Sequence, residues 1–348
     1  MTAAIEVRNL WKLYGHREKE LLPLIRRDSL TKVQALARYG CGIGVADASF
    51  TVAEGEVFCV MGLSGSGKST LVRLINRIIE PTSGTVLIGG EDITRKDDKA
   101  LRVMRTEKIG MVFQNFALLP HRTVAENVAL PLEIKRVKKR QRRESAERVL
   151  SMVGLSNWAN SFPHELSGGM QQRVGLARAM AGDPEILLMD EPFSALDPLI
   201  RRQLQKEFLD LSRLARKTTV FITHDLEEAI RIGHRIAIMK DGMLVQIGKP
   251  EDIVLKPADA YIAEFVSGIS RLNVIYAHNV MEPIESYRTH AGVDLSNAPR
   301  AQSRDNLNRL IDLAATTDGP IAVVDGDRNL IGVVDHPHLL RGLQGRQP

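Results

Sequence analysis

The sequence GLSGSGKST at residues 62–70 lies between an apolar run, VFCVM at 57–61, and a helical pattern that begins at Leu71. Strand, glycine loop and helix in this order are the context in which G-x-x-x-x-G-K-[ST] forms a phosphate-binding loop, because backbone N–H groups surround an anion at a helix N-terminus. We call residues 62–70 the phosphate loop. Lys68 is predicted to reach the terminal phosphates of a nucleotide, and Ser69 to bind Mg²⁺. The alternative is a chance match in a glycine-rich turn, which the flanking strand and helix disfavour.

The length and composition predict a large core with a smaller appended unit. The chain has 348 residues, of which 44% are hydrophobic and 26% charged, as is typical of a soluble protein. No run reaches the roughly 20 apolar residues of a membrane-spanning helix, and the N-terminus lacks the pattern of a signal peptide, so we expect a cytoplasmic location. Two cysteines, Cys41 and Cys59, are too few for a disulfide framework, and we assign them no chemistry.

The positive charge of the chain is concentrated in one run. The net charge is +5, and residues 135–143 read KRVKKRQRR. Nucleic acid, anionic lipid headgroups or an acidic loop of a partner could each be its target. A solvated helix face is the simpler interpretation, and the lack of interleaved aromatic residues weakens the case for single-stranded nucleic acid. The sequence leaves the role of this run open.

Strands and helices alternate along the first 265 residues, which predicts an α/β core. The expected strands are 5–10, 48–52, 57–61, 85–88, 109–113, 185–190 and 218–223. The last two are continuous apolar runs typical of buried parallel strands, so we expect chemistry at their carboxyl ends. Residues 11–15 are predicted to form a turn, residues 16–44 an insertion with one short helical pattern ending at Gly40, and residues 116–180 a helical subdomain.

Polar side chains with catalytic potential follow the predicted strands. Asp190 ends one apolar run and suits a Mg²⁺ ligand, and the adjacent Glu191 can accept a proton from an attacking water. His224 ends the next run; a lone histidine is more often structural, but this position favours a functional role. The stretch SGGMQ at residues 167–171, which we call the signature stretch, opens a strong helical pattern and predicts a second anion site at a helix N-terminus.

Two phosphate-binding helix ends in one chain resemble the nucleotide-binding subunit of an ABC transporter, and the motifs stand in that family's order across residues 1–265. In that family the signature helix of one copy closes on the nucleotide held by the phosphate loop of the other. The resemblance therefore implies a head-to-tail homodimer with two ATP sites. It also implies an active ATPase, with ATP and Mg²⁺ as cofactors and an α/β, ABC-type P-loop nucleotide-binding domain over residues 1–268.

The resemblance assigns roles to individual residues. Catalysis is expected from Glu191, His224, Gln114 and Lys68, and Mg²⁺ binding from Ser69, Gln114 and Asp190. Nucleotide binding is expected from Tyr14, Gly62, Ser64, Gly65, Ser66, Gly67, Lys68, Ser69, Thr70, Ser167, Gly168, Gly169, Gln171 and Asp197. Tyr14 stacks on the base in this assignment, although it could be a surface aromatic and Trp11 could take its place. Gln114 alone indicates no function, and its assignment depends on the other motifs of the family.

A narrower resemblance is to the ATPases of osmoprotectant importers, which handle glycine betaine, choline and proline. It is carried by the insertion, by MGLSGSGKSTLVR at residues 61–73 and by FSALDPLIR at 193–201. Pro192 departs from the closest forms, in which an alanine can precede the phenylalanine. This resemblance implies transmembrane permease subunits that dock on the helical subdomain, an external solute-binding protein, no nucleic acid, and a peripheral location on the cytoplasmic face of the inner membrane.

Residues 274–345 resemble a single CBS-like regulatory module, a small α/β unit. The resemblance rests on VMEP at 280–283, IAVVD at 321–325 and LIGVV at 330–334. DHPH at residues 335–338 replaces the usual polar residues that hold a ribose, so ligand binding by the tail is open, and a dimerisation or capping role is the alternative. We expect a deletion after Gly268 to keep ATPase activity and to alter its dependence on salt.

Three other functions compete with uptake of osmoprotectants. The first is an importer for a different small solute, since specificity resides in subunits other than this one. The second is a soluble ABC ATPase of translation or nucleic-acid repair, a class that commonly has two cassettes or long coiled insertions, whereas this chain shows one cassette. The third is a small-molecule kinase, which the second anion site at the signature stretch disfavours.

Overall fold

A computed structural model describes residues 3–114, 116–290 and 295–344. The chain divides into two compact units, Met1–Ile247 and Gly248–Pro348, which we call the cassette unit and the tail unit. This division lies earlier in the chain than the boundary predicted from the sequence, which was placed at residue 268. The reason is that Leu255 packs against the apolar core of the tail unit.

The cassette unit contains ten strands and nine α-helices among its described residues. The strands are β1 (Ala3–Tyr14), β2 (Gly42–Ala53), β3 (Val57–Met61), β4 (Ser83–Ile88), β5 (Glu91–Asp92), β6 (Ile109–Val112), β7 (Ile186–Asp190), β8 (Thr218–Thr223), β9 (Arg235–Lys240) and β10 (Met243–Gly248). The helices are α1 (Glu18–Arg27), α2 (Lys32–Tyr39), α3 (Lys68–Ile75), α4 (Asp98–Lys108), α5 (Val124–Ile134), α6 (Lys139–Met152), α7 (Gly168–Ala181), α8 (Pro198–Ala215) and α9 (Leu226–Ile232).

The central sheet of the cassette unit has six strands in the order β10-β9-β3-β8-β7-β6. The five strands β6, β7, β8, β3 and β9 run parallel to one another. Every residue of β3, β7 and β8 is buried, as expected of apolar strands covered on both faces. Met61 pairs with Thr223 and Asp190 with Ile222, so the carboxyl ends of these three strands share one edge.

A second sheet packs its apolar face on the same core. It has four antiparallel strands in the order β2-β1-β4-β5. The Phe50 ring of β2 stacks on the Phe58 ring of β3 with centroids 4.9 Å apart, which joins the two sheets. Leu71 and Ile75 of α3 are buried in the same cluster. The phosphate loop, which lies between β3 and α3, is therefore anchored at both ends by the main core.

The N-terminal region differs from the sequence prediction in two respects. The predicted turn at residues 11–15 is wrong, because β1 continues through Tyr14 and pairs with Gly42 of β2 after several shifts of register. The insertion holds two helices, α1 and α2, whereas one helical pattern was predicted. The second helix does end at Gly40, whose φ of +60° places it in the left-handed region that glycine adopts without strain.

The predicted helical subdomain contains α5, α6 and α7, which pack on one another. The basic run spans the turn before α6 and its first residues. Several of its charges are engaged locally: Arg142 pairs with Glu133 at 3.0 Å, Arg143 with Glu147 at 2.8 Å, and Lys135 donates to the Gly182 carbonyl at 2.8 Å. Much of this run is thus a solvated surface with partners from its own subdomain.

The tail unit is a small α/β structure with a core of its own. Its strands are β11 (Glu282–Pro283), β12 (Arg300–Gln302), β13 (Ile321–Val324) and β14 (Leu330–Val334). Its helices are α10 (Pro250–Leu255), α11 (Ala260–Val266), α12 (Ala277–Val280), α13 (Ile284–His290), α14 (Leu307–Ala314) and α15 (His336–Gln344). The sheet order is β11-β14-β13-β12, with β12 parallel to β13. The two predicted strands of residues 320–325 and 330–335 are present as β13 and β14.

Within residues 3–114, 116–290 and 295–344, no helix combines the length and the hydropathy that crossing a bilayer requires. Cys41 and Cys59 are both buried thiols. Burial raises the pKa of the Cys59 thiol well above its usual range, which keeps it protonated and unreactive.

Candidate nucleotide site

Close approach of neighbouring backbone fixes the shape of the phosphate loop. Gly62 has a φ of +153° and Gly67 a φ of +106°. A Cβ atom on Gly62 would collide with the carbonyl of Met239, and one on Gly67 with the carbonyl of Gly44. Only glycine fits at these two positions, so the loop conformation follows directly from the spacing of its glycines.

Lys68, the first residue of α3, folds back over the start of the loop. Its side chain is 6% exposed, and Nζ donates to the carbonyl oxygens of Gly62 at 2.7 Å and Leu63 at 3.0 Å. Burial lowers the pKa of the Lys68 ammonium, while the nearby carboxylates of Glu191 and Asp190 act in the opposite direction. A desolvated ammonium held by neutral carbonyls is suited to an anionic ligand, which would give it a fully charged partner.

Ser66 adds an unsatisfied polar group to the loop. Its hydroxyl is buried and, among the residues that the structure describes, has no hydrogen-bond partner. Its backbone is held on both sides, since Ser66 N donates to the Leu63 carbonyl at 3.2 Å and Gly242 N donates to the Ser66 carbonyl at 2.9 Å. Buried hydroxyls are nearly always paired, so an orphan at this place is consistent with a ligand whose oxygens complete it.

Ser69 and Asp190 meet beside the loop and form a pair of oxygen donors. Ser69 Oγ donates to Asp190 Oδ1 at 2.9 Å, and Asp190 is 1% exposed at the end of β7. Burial raises the pKa of the Asp190 carboxyl, although the Ser69 hydrogen bond and the charges of Arg73 and Lys68 counteract it. Mg²⁺ favours sites with one or two protein oxygens completed by phosphate and water. Ser69 and Asp190 fit that donor set, and within the described ranges no cluster of three or more His, Cys, Asp or Glu side chains offers a rival metal site.

Glu191 and His224 lie side by side at the same edge. His224 Nδ1 is 3.3 Å from Glu191 Oε2, with the imidazole 61% exposed and the carboxylate 16% exposed. Glu191 has a φ of +50°, a backbone conformation that non-glycine residues rarely adopt. Its N–H donates to the Ile222 carbonyl of β8 at 3.1 Å, which holds this conformation. A carboxylate so placed, next to an imidazole, can orient and deprotonate a water molecule.

Tyr14 and Trp11 occupy different environments on β1. Tyr14 is 44% exposed, and its hydroxyl lies 3.3 Å from Thr70 Oγ1 at the end of the phosphate loop. Trp11 is 9% exposed, with the Arg26 guanidinium 4.9 Å from its ring centroid. Of these two rings, only that of Tyr14 is exposed enough to stack on a base, and its role there remains a prediction.

Gln114 follows the edge strand of the same sheet. Val112 of β6 pairs with Met189 of β7, so Gln114 and Asp190 leave the sheet on the same side. Gln114 is exposed. The topology thus places it at the same edge of the sheet as Asp190.

The signature stretch forms the N-terminus of the 14-residue helix α7. Ser167 is the N-cap, and its Oγ accepts from Met170 N at 3.3 Å. Gln171 Nε2 donates to the Pro163 carbonyl at 3.0 Å, while Ser167 and Gly168 are exposed. Throughout the described part of the chain, no hydrogen bond joins residues 167–171 to residues 62–70. The structure therefore does not bring the two predicted anion sites together within one copy.

The residues after Glu191 connect the two sites indirectly. Asp197 is exposed, and its Oδ1 accepts from Ile200 N at 3.1 Å in the first turn of α8. Gln172, which sequence analysis missed, is 1% exposed. Its Nε2 donates to the Glu191 carbonyl at 3.0 Å, and its Oε1 accepts from Ala195 N at 3.1 Å. One buried amide thus ties the signature helix to the backbone of Glu191.

The chain is similar to a known protein family and to several transport ATP-binding proteins. Residues 45–194 match the ABC transporter family. The chain is 46% identical to the glycine betaine transport ATP-binding protein OpuAA of Bacillus subtilis, over 95% of this chain and 76% of that protein. It is 51% identical to the glycine betaine/proline betaine transport system ATP-binding protein ProV of Escherichia coli, over 80% of this chain and 70% of that protein.

Two further comparisons extend the match in sequence and structure. The trimethylamine N-oxide transport system ATP-binding protein TmoW of Pelagibacter ubique is 43% identical over 96% of this chain and 95% of its own length. Among solved structures, a dimeric ATP-binding cassette in a post-hydrolysis state bound to ADP and Pi superposes with a TM-score of 0.62 at 34% identity. That superposition covers 71% of this chain and 98% of the solved one.

Proposed function

We propose, since the chain belongs to the ATP-binding subunits of ABC transporters, that it hydrolyses ATP to drive uptake of a quaternary amine osmoprotectant. The observation that carries the ATPase assignment is the meeting of Lys68, the Ser69–Asp190 pair and the Glu191–His224 pair at one edge of the central sheet. The solute class is proposed from relatives that are named for transport of glycine betaine, proline betaine and trimethylamine N-oxide.

In the proposed reaction, water attacks the γ-phosphate of ATP in line with the leaving group. Glu191 accepts the proton of that water, and His224 beside it contacts the γ-phosphate. Lys68 and the loop N–H groups stabilise the charge that develops on the phosphate oxygens. Ser69 and Asp190, with Gln114 after the end of β6, would hold Mg²⁺, which supplies further charge neutralisation when bound.

The exposed signature stretch is the basis for proposing a homodimer. Within the described residues, no hydrogen bond joins residues 167–171 to the phosphate loop of their own chain. We propose that this helix end, with Ser167, Gly168, Gly169 and Gln171, caps the nucleotide of a second copy. The solved relative is itself dimeric. We propose that this dimer acts with transmembrane permease subunits and an external solute-binding protein at the cytoplasmic face of the membrane, and that it binds no nucleic acid.

The tail unit is proposed to be a CBS-like module that adjusts transport to ionic conditions. Asp335, which stands where ribose-binding polar residues were expected, bonds instead within its own helix: its Oδ1 accepts from His338 N at 2.8 Å and lies 2.6 Å from His338 Nδ1. The nearby cleft has no room for a water molecule. This favours an effect through assembly of two tails rather than through a bound nucleotide. A truncation after residue 247 is preferable to one after residue 268. It removes α10 together with the tail unit, against whose core Leu255 of α10 packs.

Uptake in cells tests the proposal. The chain is expressed with the permease and binding protein of a glycine betaine importer, in bacteria that lack their own ATP-binding subunit, and uptake of labelled glycine betaine, choline, proline and trimethylamine N-oxide is measured. We expect uptake of at least one quaternary amine with the unaltered chain and none with Glu191→Gln. ATP hydrolysis without uptake of any of the four would show that the subunit does not drive a glycine betaine permease, which would contradict the proposal.

A further inference from the structure

The insertion between β1 and β2 reaches the phosphate end of the nucleotide site. Lys32 Nζ, on the first residue of α2, donates to the carbonyl oxygen of Gly65 at 2.8 Å. Gly65 lies in the middle of the phosphate loop with a φ of +77°. A charged side chain from outside the α/β core thus holds the loop that is proposed to surround the phosphates.

The position of Lys32 is well determined by its own helix. Thr31 caps α2, with its Oγ1 accepting from Gln34 N and its N–H donating to Gln34 Oε1 at 2.9 Å. This reciprocal capping box fixes the first turn of the helix. Ala35, one turn along, is fully buried. The ammonium of Lys32 is therefore presented from a structured helix end.

The insertion is anchored to the cassette at the aromatic end of the site as well. It shares a small apolar core with β1 and β2, formed by Trp11, Leu13, Leu22, Ile25, Ala35, Cys41, Ile43 and Ala46. Glu18 of α1 accepts from the buried Lys12 Nζ at 3.0 Å and from Thr82 Oγ1 at 3.0 Å. Lys12 Nζ in turn lies 5.3 Å from the ring centroid of Tyr14. One element thus supports both Tyr14 and the phosphate loop.

With the Lys32 contact, both polar groups of one peptide in the loop are hydrogen-bonded. The peptide between Gly65 and Ser66 has its carbonyl bound to Lys32 and its N–H bound to the Leu63 carbonyl. A loop that is already ordered loses less conformational entropy when an anion binds, which raises affinity. The Lys32 ammonium also adds positive charge beside a site for a polyanion.

We propose that Lys32 is a positioning residue for the phosphate loop, through which the insertion sets the affinity for ATP. The proposal rests on the ATP site described under the proposed function. Lys32 acts through Gly65, whereas Glu191 and His224 act at the γ-phosphate. Its loss is therefore expected to weaken binding and to leave the hydrolytic step nearly unchanged.

Direct binding of ATP to the full-length chain tests this role. Calorimetry with MgATP compares wild type, Lys32→Met, Lys32→Arg and Lys19→Met, where Lys19 is an exposed lysine of α1 in the same insertion. We expect Lys32→Met to raise the Kd roughly 3- to 10-fold, the effect of losing one exposed hydrogen bond from a charged donor. Lys32→Arg should bring the Kd to within about 2-fold of wild type, because the guanidinium is also a charged donor to the Gly65 carbonyl. Lys19→Met should leave the Kd unchanged, because Lys32 is still present. Steady-state kinetics should show a raised KM and an unchanged kcat for Lys32→Met.

An unaltered Kd and KM in Lys32→Met would overturn the proposal. A Kd that rises as much in Lys19→Met would also overturn it, since the cause would then be the overall charge of the insertion. Equal loss in Lys32→Met and Lys32→Arg, with a lower thermal unfolding temperature, would assign Lys32 to folding alone. A wild-type chain that binds no ATP would instead refute the proposed function, so the two failures are distinct.

Discussion

The phosphate loop and the tip of the signature helix are both predicted anion sites, but they differ in burial and in their hydrogen bonds. At the loop, Lys68 and Asp190 are almost fully buried and hydrogen-bonded within the chain. At the signature stretch, Ser167 and Gly168 are exposed, and the Ser167 hydroxyl serves only its own helix. One half of a nucleotide site is thus built within the chain, and the other half is presented outward.

Because of this difference, nucleotide binding and turnover are expected to depend on different regions of the chain. The loop holds the groups that are proposed to bind nucleotide, and Glu191 and His224 lie together at the same edge of the sheet. The signature stretch makes no hydrogen bond to that loop within the described residues, and in the proposed dimer a second copy supplies it. We therefore expect substitutions in the two regions to damage binding and turnover to different extents.

The largest expected effect follows from Glu191→Gln. The amide keeps the size of the carboxylate but cannot accept the proton of the attacking water, so ATPase activity should fall about 100- to 1,000-fold. ATP binding should persist, and the bound nucleotide should hold two copies together. Steady-state hydrolysis and size-exclusion chromatography with ATP check both outcomes.

A matched control is Glu227→Gln, at an exposed carboxylate on α9. It should hydrolyse ATP like wild type and remain monomeric after turnover. Brisk hydrolysis by Glu191→Gln would remove Glu191 as the base and shift that role to another group at the strand edge.

Substitutions in the phosphate loop and in the signature stretch are expected to have different effects on ATP binding. Lys68→Ala should abolish both binding and hydrolysis, because it removes the buried ammonium of the loop. Ser167→Arg should reduce hydrolysis about 100-fold by blocking the outward-facing half, while ATP binding to the monomer stays within about 2-fold of wild type. Calorimetry and ATPase assays separate the two. Weak ATP binding by Ser167→Arg would mean that the signature stretch serves the loop of its own chain.

Gln172→Ala tests the buried link between the regions. It removes the partner of Ala195 N and one of the donors to the Glu191 carbonyl, which keeps its hydrogen bond from Ser194 Oγ, so we expect kcat to fall about 10-fold and the free energy of unfolding to drop by ~1–3 kcal/mol. The control is Gln203→Ala, an exposed glutamine on α8, which should change neither. A normal kcat in a destabilised Gln172→Ala would limit this amide to a structural role.

The smallest expected effect is a gain in stability from Asp190→Asn without nucleotide. Burial raises the pKa of Asp190, so its ionised form costs stability at neutral pH, and an amide removes that cost while it abolishes hydrolysis. We expect the unfolding temperature to rise by about 2–4 °C. The native state binds the proton more tightly than the unfolded state, so the cost is absent below the unfolded pKa and appears as the pH rises through the folded pKa.

Thermal unfolding at two pH values checks the sign of this effect. The advantage of Asp190→Asn should be larger at pH 8 than at pH 5, where wild-type Asp190 carries more of its proton. A variant that is less stable than wild type at pH 8 would show that the pair with Ser69 stabilises the empty site.

The sequence is sufficient to predict the fold class and the family, because the signals are local. The glycine spacing of residues 62–70 follows from close backbone approach at Gly62 and Gly67, and the continuous apolar runs of β7 and β8 follow from burial on both faces. The α/β fold and the family are confirmed. The catalytic and binding roles of the individual residues remain predictions.

What the sequence does not reveal depends on pairing between distant segments. The extension of β1 through Tyr14 results from its register with Gly42, which no local pattern specifies. Gln172 reads as an ordinary polar helix residue until the fold buries it. Lys32 is 33 positions from Gly65, and only the packing of the insertion brings them together.

The most direct test of the account is a structure of Glu191→Gln with MgATP, by crystallography or electron cryomicroscopy. We predict a dimer in which each ATP contacts Lys68 of one copy and Ser167 of the other. Nucleotides held by one copy alone, with both signature stretches facing solvent in every assembly, would contradict it.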